Sequence, residues 1–174
     1  MKRRPLVLLV LLAACGCSNG RSESVTIRRA GEISLFEGLP HEFYEPEVLK
    51  TEKQEKPTVE LGGYPFYRNP LALKEADTAE LRDLIGNADS FRAFSGEKKC
   101  GGFHPDYAVQ WTYGNGKGVC LLCFGCGEAK IFYEGVETRL DLNRYAMKRL
   151  KAVLEPYRKN RPEKEKPALR SNPY

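Results

Sequence analysis

Two segments of alternating side chains, Tyr107 to Tyr113 and Val119 to Phe124, flank the run Gly114-Asn115-Gly116-Lys117. This pairing constrains the fold more than any other feature of the chain. An Asn-Gly pair between such segments signals a tight type I′ hairpin. With Asn115-Gly116 as the two-residue loop, opposed residue numbers sum to 231. Val109 then faces Leu122, Trp111 faces Cys120 and Tyr107 faces Phe124. These share one side of the hairpin, which must be its core face. Cys123 falls on the other side, opposite Ala108, with Gln110, Thr112, Val119 and Leu121.

A second hairpin is expected from Ala129–Tyr133 and Thr138–Leu142 around Glu134-Gly135-Val136-Glu137. Shorter strands read at Glu32–Glu37, stopped by Gly38-Leu39-Pro40, and at Thr58–Leu61, closed by Gly62-Gly63. Ser90–Phe94 has strand character. Phe43–Leu49 reads as irregular or weakly helical, Thr51–Pro57 as a charged loop and Gly63–Pro70 as an ordered aromatic loop. Asp77 is placed to cap a short helix over 77–85 with Glu80 three residues on, and Gly86-Asn87 ends it. Asn143 caps a final helix in which Tyr145, Met147, Leu150, Val153 and Leu154 fall mainly on one face. The expected class is α+β, an antiparallel sheet of four or more strands with helices packed on one face.

Six cysteines occur in 174 residues, with only two histidines, His41 and His104. Cys120 and Cys123 point to opposite faces of their strand. Three strand steps separate their Cα atoms by roughly 10 Å, beyond the ~7 Å limit for a disulfide. Cys120 therefore reads as a buried small hydrophobe beside Trp111. Running the register outward brings Pro105 and His104 opposite Cys126 and Gly127, and Cys100 lies four residues before His104. Cys100, His104, Cys123 and Cys126 should then converge at the open end of the hairpin. Three thiolates and one imidazole are a normal tetrahedral zinc set, and Cys123-Phe124-Gly125-Cys126-Gly127 resembles a zinc knuckle. The same residues also suit a disulfide, either Cys100 with one of the pair or Cys123 with Cys126. A third use is a thiol beside His104, with Asp106 near, as nucleophile or redox centre.

The chain opens Met1-Lys2-Arg3-Arg4, followed by nine apolar residues and Cys15. The run is too short for the ~20 residues that span a bilayer and fits an export signal. Leu12-Ala13-Ala14-Cys15 resembles the bacterial lipobox. That resemblance implies cleavage after Ala14 and acylation of Cys15, and several acyl chains on one residue anchor stably. Aspartate after the cysteine would retain such a protein at the inner membrane. Gly16 stands there, so the outer membrane, periplasmic side, is expected.

The formal charge of +5 falls to +2 when Lys2, Arg3 and Arg4 leave. Residues 156–174 carry +4, so residues 15–155 sum to −2. The body has no basic stripe, which argues against a nucleic-acid partner. The expected organisation is a signal peptide at 1–14, a lipidated tether at 15–31, one α+β domain at 32–157 and a basic disordered tail at 158–174.

Leu35–His41, Lys99–Tyr107, the run Cys123–Glu128 and Pro156–Pro162 together resemble an uncharacterised, planctomycete-type group of bacterial exported proteins. The resemblance covers roughly residues 32–162 and implies export, with no activity attached. The leading expectation is a lipid-anchored envelope protein, non-catalytic, whose domain is held by a Cys/His zinc site or a disulfide. It would meet the membrane through Cys15 and an unidentified envelope partner through its body. The alternative is an envelope thiol or metal-redox enzyme using Cys100, His104, Cys123 and Cys126.

Overall fold

The computed structural model describes residues 26–162. The signal segment, Cys15, Cys17, most of the expected tether and residues 163–174 lie outside that range. Six strands form one antiparallel sheet: β1 (Ile33–Glu37), β4 (Phe91–Ala93), β5 (Tyr107–Tyr113), β6 (Gly116–Cys123), β7 (Glu128–Tyr133) and β8 (Val136–Leu142), in the order β1-β5-β6-β7-β8-β4. A separate antiparallel pair, β2 (Thr58–Leu61) and β3 (Tyr64–Tyr67), lies outside it. Among the described residues, three longer helices complete the fold, α1 (Pro46–Glu55), α2 (Glu75–Gly86) and α3 (Arg144–Leu154), beside a helical turn at 26–28. The α+β class and the helix-covered sheet face are as the sequence predicts.

One sheet face carries Leu35, Tyr107, Val109, Trp111, Cys120, Leu122 and Ile131, which pack against Leu81, Leu84 and Ile85 of α2 and Leu150, Val153 and Leu154 of α3. Ala108 and Leu121 point to the other face, into a smaller core with Phe36, Leu61 and Phe66. The β5–β6 hairpin is thus buried on both sides, which explains why its second face carries Ala108 and Leu121 rather than polar residues alone.

The central hairpin differs in register from the Asn115-Gly116 reading. Tyr113 pairs with Gly116, so the loop is Gly114-Asn115, and Tyr107 faces Leu122, Val109 faces Cys120 and Trp111 faces Gly118. Gly114 has φ +57° while Asn115 is not left-handed. That is the type II′ requirement, glycine at the first central position, not the type I′ one. Moving the pairing by two residues preserves the parity of every side chain, so the predicted faces stand. The β7–β8 turn, Glu134-Gly135, has φ of +49° and +80° and fits type I′.

Several boundaries also change. Helix α1 covers residues expected to be irregular and loop. Its only buried residue is Glu52, which accepts a short hydrogen bond from the Tyr67 hydroxyl and pairs with Lys56 at 2.7 Å. Gly63–Pro70 contains strand β3, and Pro65 is accommodated in a two-stranded pair. Helix α2 starts at Glu75, so Asp77 is not its cap and instead accepts from the Tyr157 hydroxyl. Asn143 does cap α3, its Oδ1 accepting from Ala146 N–H at 2.7 Å. Tyr145 is exposed, and Ala146 takes the buried place expected of it. The domain is longer than 32–157 at both ends. Ile27 is fully buried and Thr26 Oγ1 accepts from the Trp111 indole at 3.0 Å, while residues 158–162 are packed rather than disordered, as shown below.

Gly118 tests the register. A Cβ built there would stand 2.1 Å from Trp111 Cε2. Gly118→Ala should therefore cost about 3 kcal/mol through overpacking, read as a lower urea midpoint at unchanged m. Gly125→Ala meets nothing within 4 Å and should stay within ~0.5 kcal/mol of the parent. Equal stability of the two variants would contradict the Trp111–Gly118 pairing.

Candidate functional site

Strand β6 ends at Cys123, and a turn with Gly127 at φ +69° leads into β7. The segment before β5 folds back over this turn. Asp106 N–H donates to the Leu122 carbonyl at 2.8 Å, and Asp106 Oδ2 accepts from Phe124 N–H at 2.7 Å. The hairpin thus brings His104, Cys123 and Cys126 to one end, as its sequence predicts. Cys100 joins Cys126 in a disulfide with Cα atoms 5.6 Å apart and a sequence separation of 26. Of the alternatives for this cluster, Cys100 bonded to one member of the pair is the one present.

The reading in which Cys100, His104, Cys123 and Cys126 jointly hold zinc does not describe this form. A sulfur tied to another sulfur offers no thiolate to a metal. Among the described residues, no three His, Cys, Asp or Glu side chains stand where they could hold one ion together. Cys120 and Cys123 are both free and buried. Cys120 lies in the main core, where burial pushes its thiol up to about 12.

Cys123 stands differently. Its Sγ accepts from Cys126 N–H at 3.4 Å. Burial raises its pKa, the neighbouring backbone of His104, Cys126 and Gly125 opposes that rise, and burial is the larger effect. The thiol is kept protonated at neutral pH, the opposite of an activated nucleophile.

His104 stacks on His41, ring centroids 4.4 Å apart and planes 28° from parallel. Burial, then the Arg161 cation, then His41 hold its pKa down at about 4, against a hydrogen bond to the Leu39 backbone that raises it. Its Nε2 is buried and has no hydrogen-bond partner. His41 Nδ1 accepts from Phe43 N–H at 3.1 Å, and its pKa is lowered by burial and then by Arg161. A cavity of about 200 Å³ lies among His41, Tyr44, Cys100, His104, Cys123 and Arg161.

Arg161 was not singled out in the sequence, where it reads as one charge in a basic tail. Its side chain is only 8% exposed, and it reaches Glu45 Oε2 at 3.0 Å and Asp106 Oδ1 at 3.3 Å. The backbone beside it is clamped by Glu37, itself 2% exposed. Glu37 Oε2 accepts from Lys159 N–H, Asn160 N–H and Asn160 Nδ2 at 3.1, 2.8 and 2.9 Å. Its Oε1 accepts from Arg161 N–H at 3.0 Å. A buried carboxylate in four N–H groups is a satisfied charge. No local pattern marks Glu37 in the sequence, because its partners lie over 120 residues away.

No protein-family model matches the chain, and no curated protein or solved structure matches it. The site is therefore read from its own geometry.

The His104 environment has a pH consequence. A histidine whose folded pKa lies below its unfolded value binds fewer protons folded than unfolded between the two. Its contribution is complete above the unfolded value of 6.5 and is lost as pH falls from there to about 4. In oxidised protein, the His104 ring should titrate near 4 by NMR, with His41 below its ordinary value of 6.5. The stability loss over this window should shrink in His104→Gln. A His104 ring titrating at 6.5 would contradict the buried, cation-flanked placement.

Proposed function

We propose that the chain is a lipid-anchored cell-envelope protein, tethered through Cys15, whose disulfide-closed α+β domain serves as a binding module rather than an enzyme. The Cys100–Cys126 disulfide carries this reading, since such bonds form and persist in oxidising compartments outside the cytosol. It agrees with an independent feature at the far end of the chain, the basic start, short apolar run and lipobox-like Leu12-Ala13-Ala14-Cys15. Lipid on Cys15 would supply membrane attachment, and Gly16 favours the outer membrane.

The binding face is the corner around the disulfide. Phe43 and Tyr44 are 68% and 56% exposed there, and their rings continue the His104–His41 stack outwards, with His41 to Tyr44 at 4.6 Å and Phe43 to Tyr44 at 5.0 Å. Exposed aromatics braced against the stapled loop, where the Tyr44 ring lies over Gly101, make a contact surface for an envelope partner. The Cys123 thiol, buried and protonated, favours this reading over a thiol enzyme.

Metabolic labelling tests the anchor. Cells producing the full chain and fed an alkyne-tagged fatty acid should place label on the protein. Cys15→Ser should abolish the label, and an inhibitor of the lipoprotein signal peptidase should accumulate uncut precursor. Labelling that survives Cys15→Ser, or no labelling of the parent, would overturn the anchor.

A further inference from the structure

We propose that reduction of Cys100–Cys126 converts this corner into a zinc site built from Cys100, Cys123, Cys126 and His104 Nε2, so that disulfide and bound metal are alternative states of one cluster. Two observations in the oxidised form point to a ligand.

The first is His104. Its Nε2 is shielded from solvent and has no hydrogen-bond partner, and the nitrogen of a neutral imidazole can present a lone pair to a metal. A buried polar atom without a partner calls for an explanation, and the cavity it shares with Cys100 and Cys123 gives room for one.

The second is the Cys123 sulfur. The Cys126 N–H donates to it at 3.4 Å, and it borders the same cavity as the His104 ring. Such a donor stabilises a thiolate. Gly127, left-handed just after the second cysteine, completes the knuckle turn. Cys126 is thus already carried on a metal-binding type of loop, and Cys100 is bonded to it.

The chemistry balances with a dithiol as reductant. The dithiol gives two electrons and becomes its own disulfide, and the Cys100–Cys126 bond becomes two thiols. Zinc binding then releases a proton from each of Cys100, Cys123 and Cys126 to solvent, while neutral His104 contributes its lone pair. Thiolate and imidazole ligands together select zinc over harder cations. The inference does not depend on the lipid anchor, whose test reads Cys15 alone.

The experiment uses the full chain in detergent with Cys15→Ser and Cys17→Ser, so that the tether offers no competing thiol. Oxidised protein, and protein reduced with a dithiol that is then removed, are titrated with zinc against a chromophoric chelator. Cobalt serves as the spectroscopic probe of the reduced form. Reduced protein should take up stoichiometric zinc, oxidised protein none, and cobalt should show tetrahedral bands with thiolate charge transfer. Cys123→Ser and His104→Ala should each weaken zinc by about 100-fold, and Cys120→Ala should leave it unchanged. Should Cys123→Ser fail to fold, His104→Ala and the cobalt spectrum decide. Zinc uptake indifferent to His104→Ala, or no uptake by reduced protein, would overturn the proposal.

Discussion

The disulfide between Cys100 and Cys126 is the bond on which the site depends. The segment from Ser95 to Asp106 contains no regular structure, and a chain of that kind has no ladder to hold it against the sheet. Cross-linking it to the β6–β7 turn closes a loop of 26 residues, worth about 3.5 kcal/mol in loop entropy. That constraint holds His104 beside Cys123 and aligns Asp106 with the end of β6. The same bond ties up two of the four residues that would otherwise compete for a metal, so redox state and site chemistry are one question.

A second clasp works from the far end of the chain. Glu37, at the last position of β1, gathers the backbone of residues 159–161, and Arg161 then crosses to Glu45 and Asp106. Arg161 is also a main reason that His104 stays neutral. Burying a guanidinium beside two imidazoles is costly unless carboxylates meet it, and Glu45 and Asp106 are those carboxylates. The clasp thus sets the electrostatics of the corner while the disulfide sets its geometry. On the opposite part of the sheet, Glu128 is fully buried between Arg139 and Lys98, a separate network that fastens the 94–98 segment to β7 and β8.

Much of this was legible in the residues themselves. The alternation around Gly114–Lys117 placed Cys120 in the core and Cys123 on the other face, and it brought His104 towards Cys126 even though the loop was taken two positions out of register. Parity forgives that slip, because glycine or asparagine at any of three adjacent positions offers a workable turn. Helix α1 was not legible, since Pro46–Glu55 has no apolar stripe and buries only Glu52, which bonds Tyr67. Strand β3 was hidden by Pro65, normally a sign against a strand. Glu37 and Arg161 could not be seen at all. Their meaning lies in a pairing across most of the chain, and a buried arginine in a run of lysines and arginines looks like its solvated neighbours. The choice between disulfide and metal was also beyond the sequence, because the same residue types at the same spacing suit both.

The cysteine pairing in protein isolated from cells without reductant tests this account most directly. Free thiols would be alkylated in denaturant without reductant and the peptides mapped by mass spectrometry. The account predicts a linked peptide pair containing Cys100 and Cys126, with Cys120 and Cys123 both alkylated. A bond from Cys123 to either partner, or four alkylated cysteines in the body of freshly isolated protein, would contradict it.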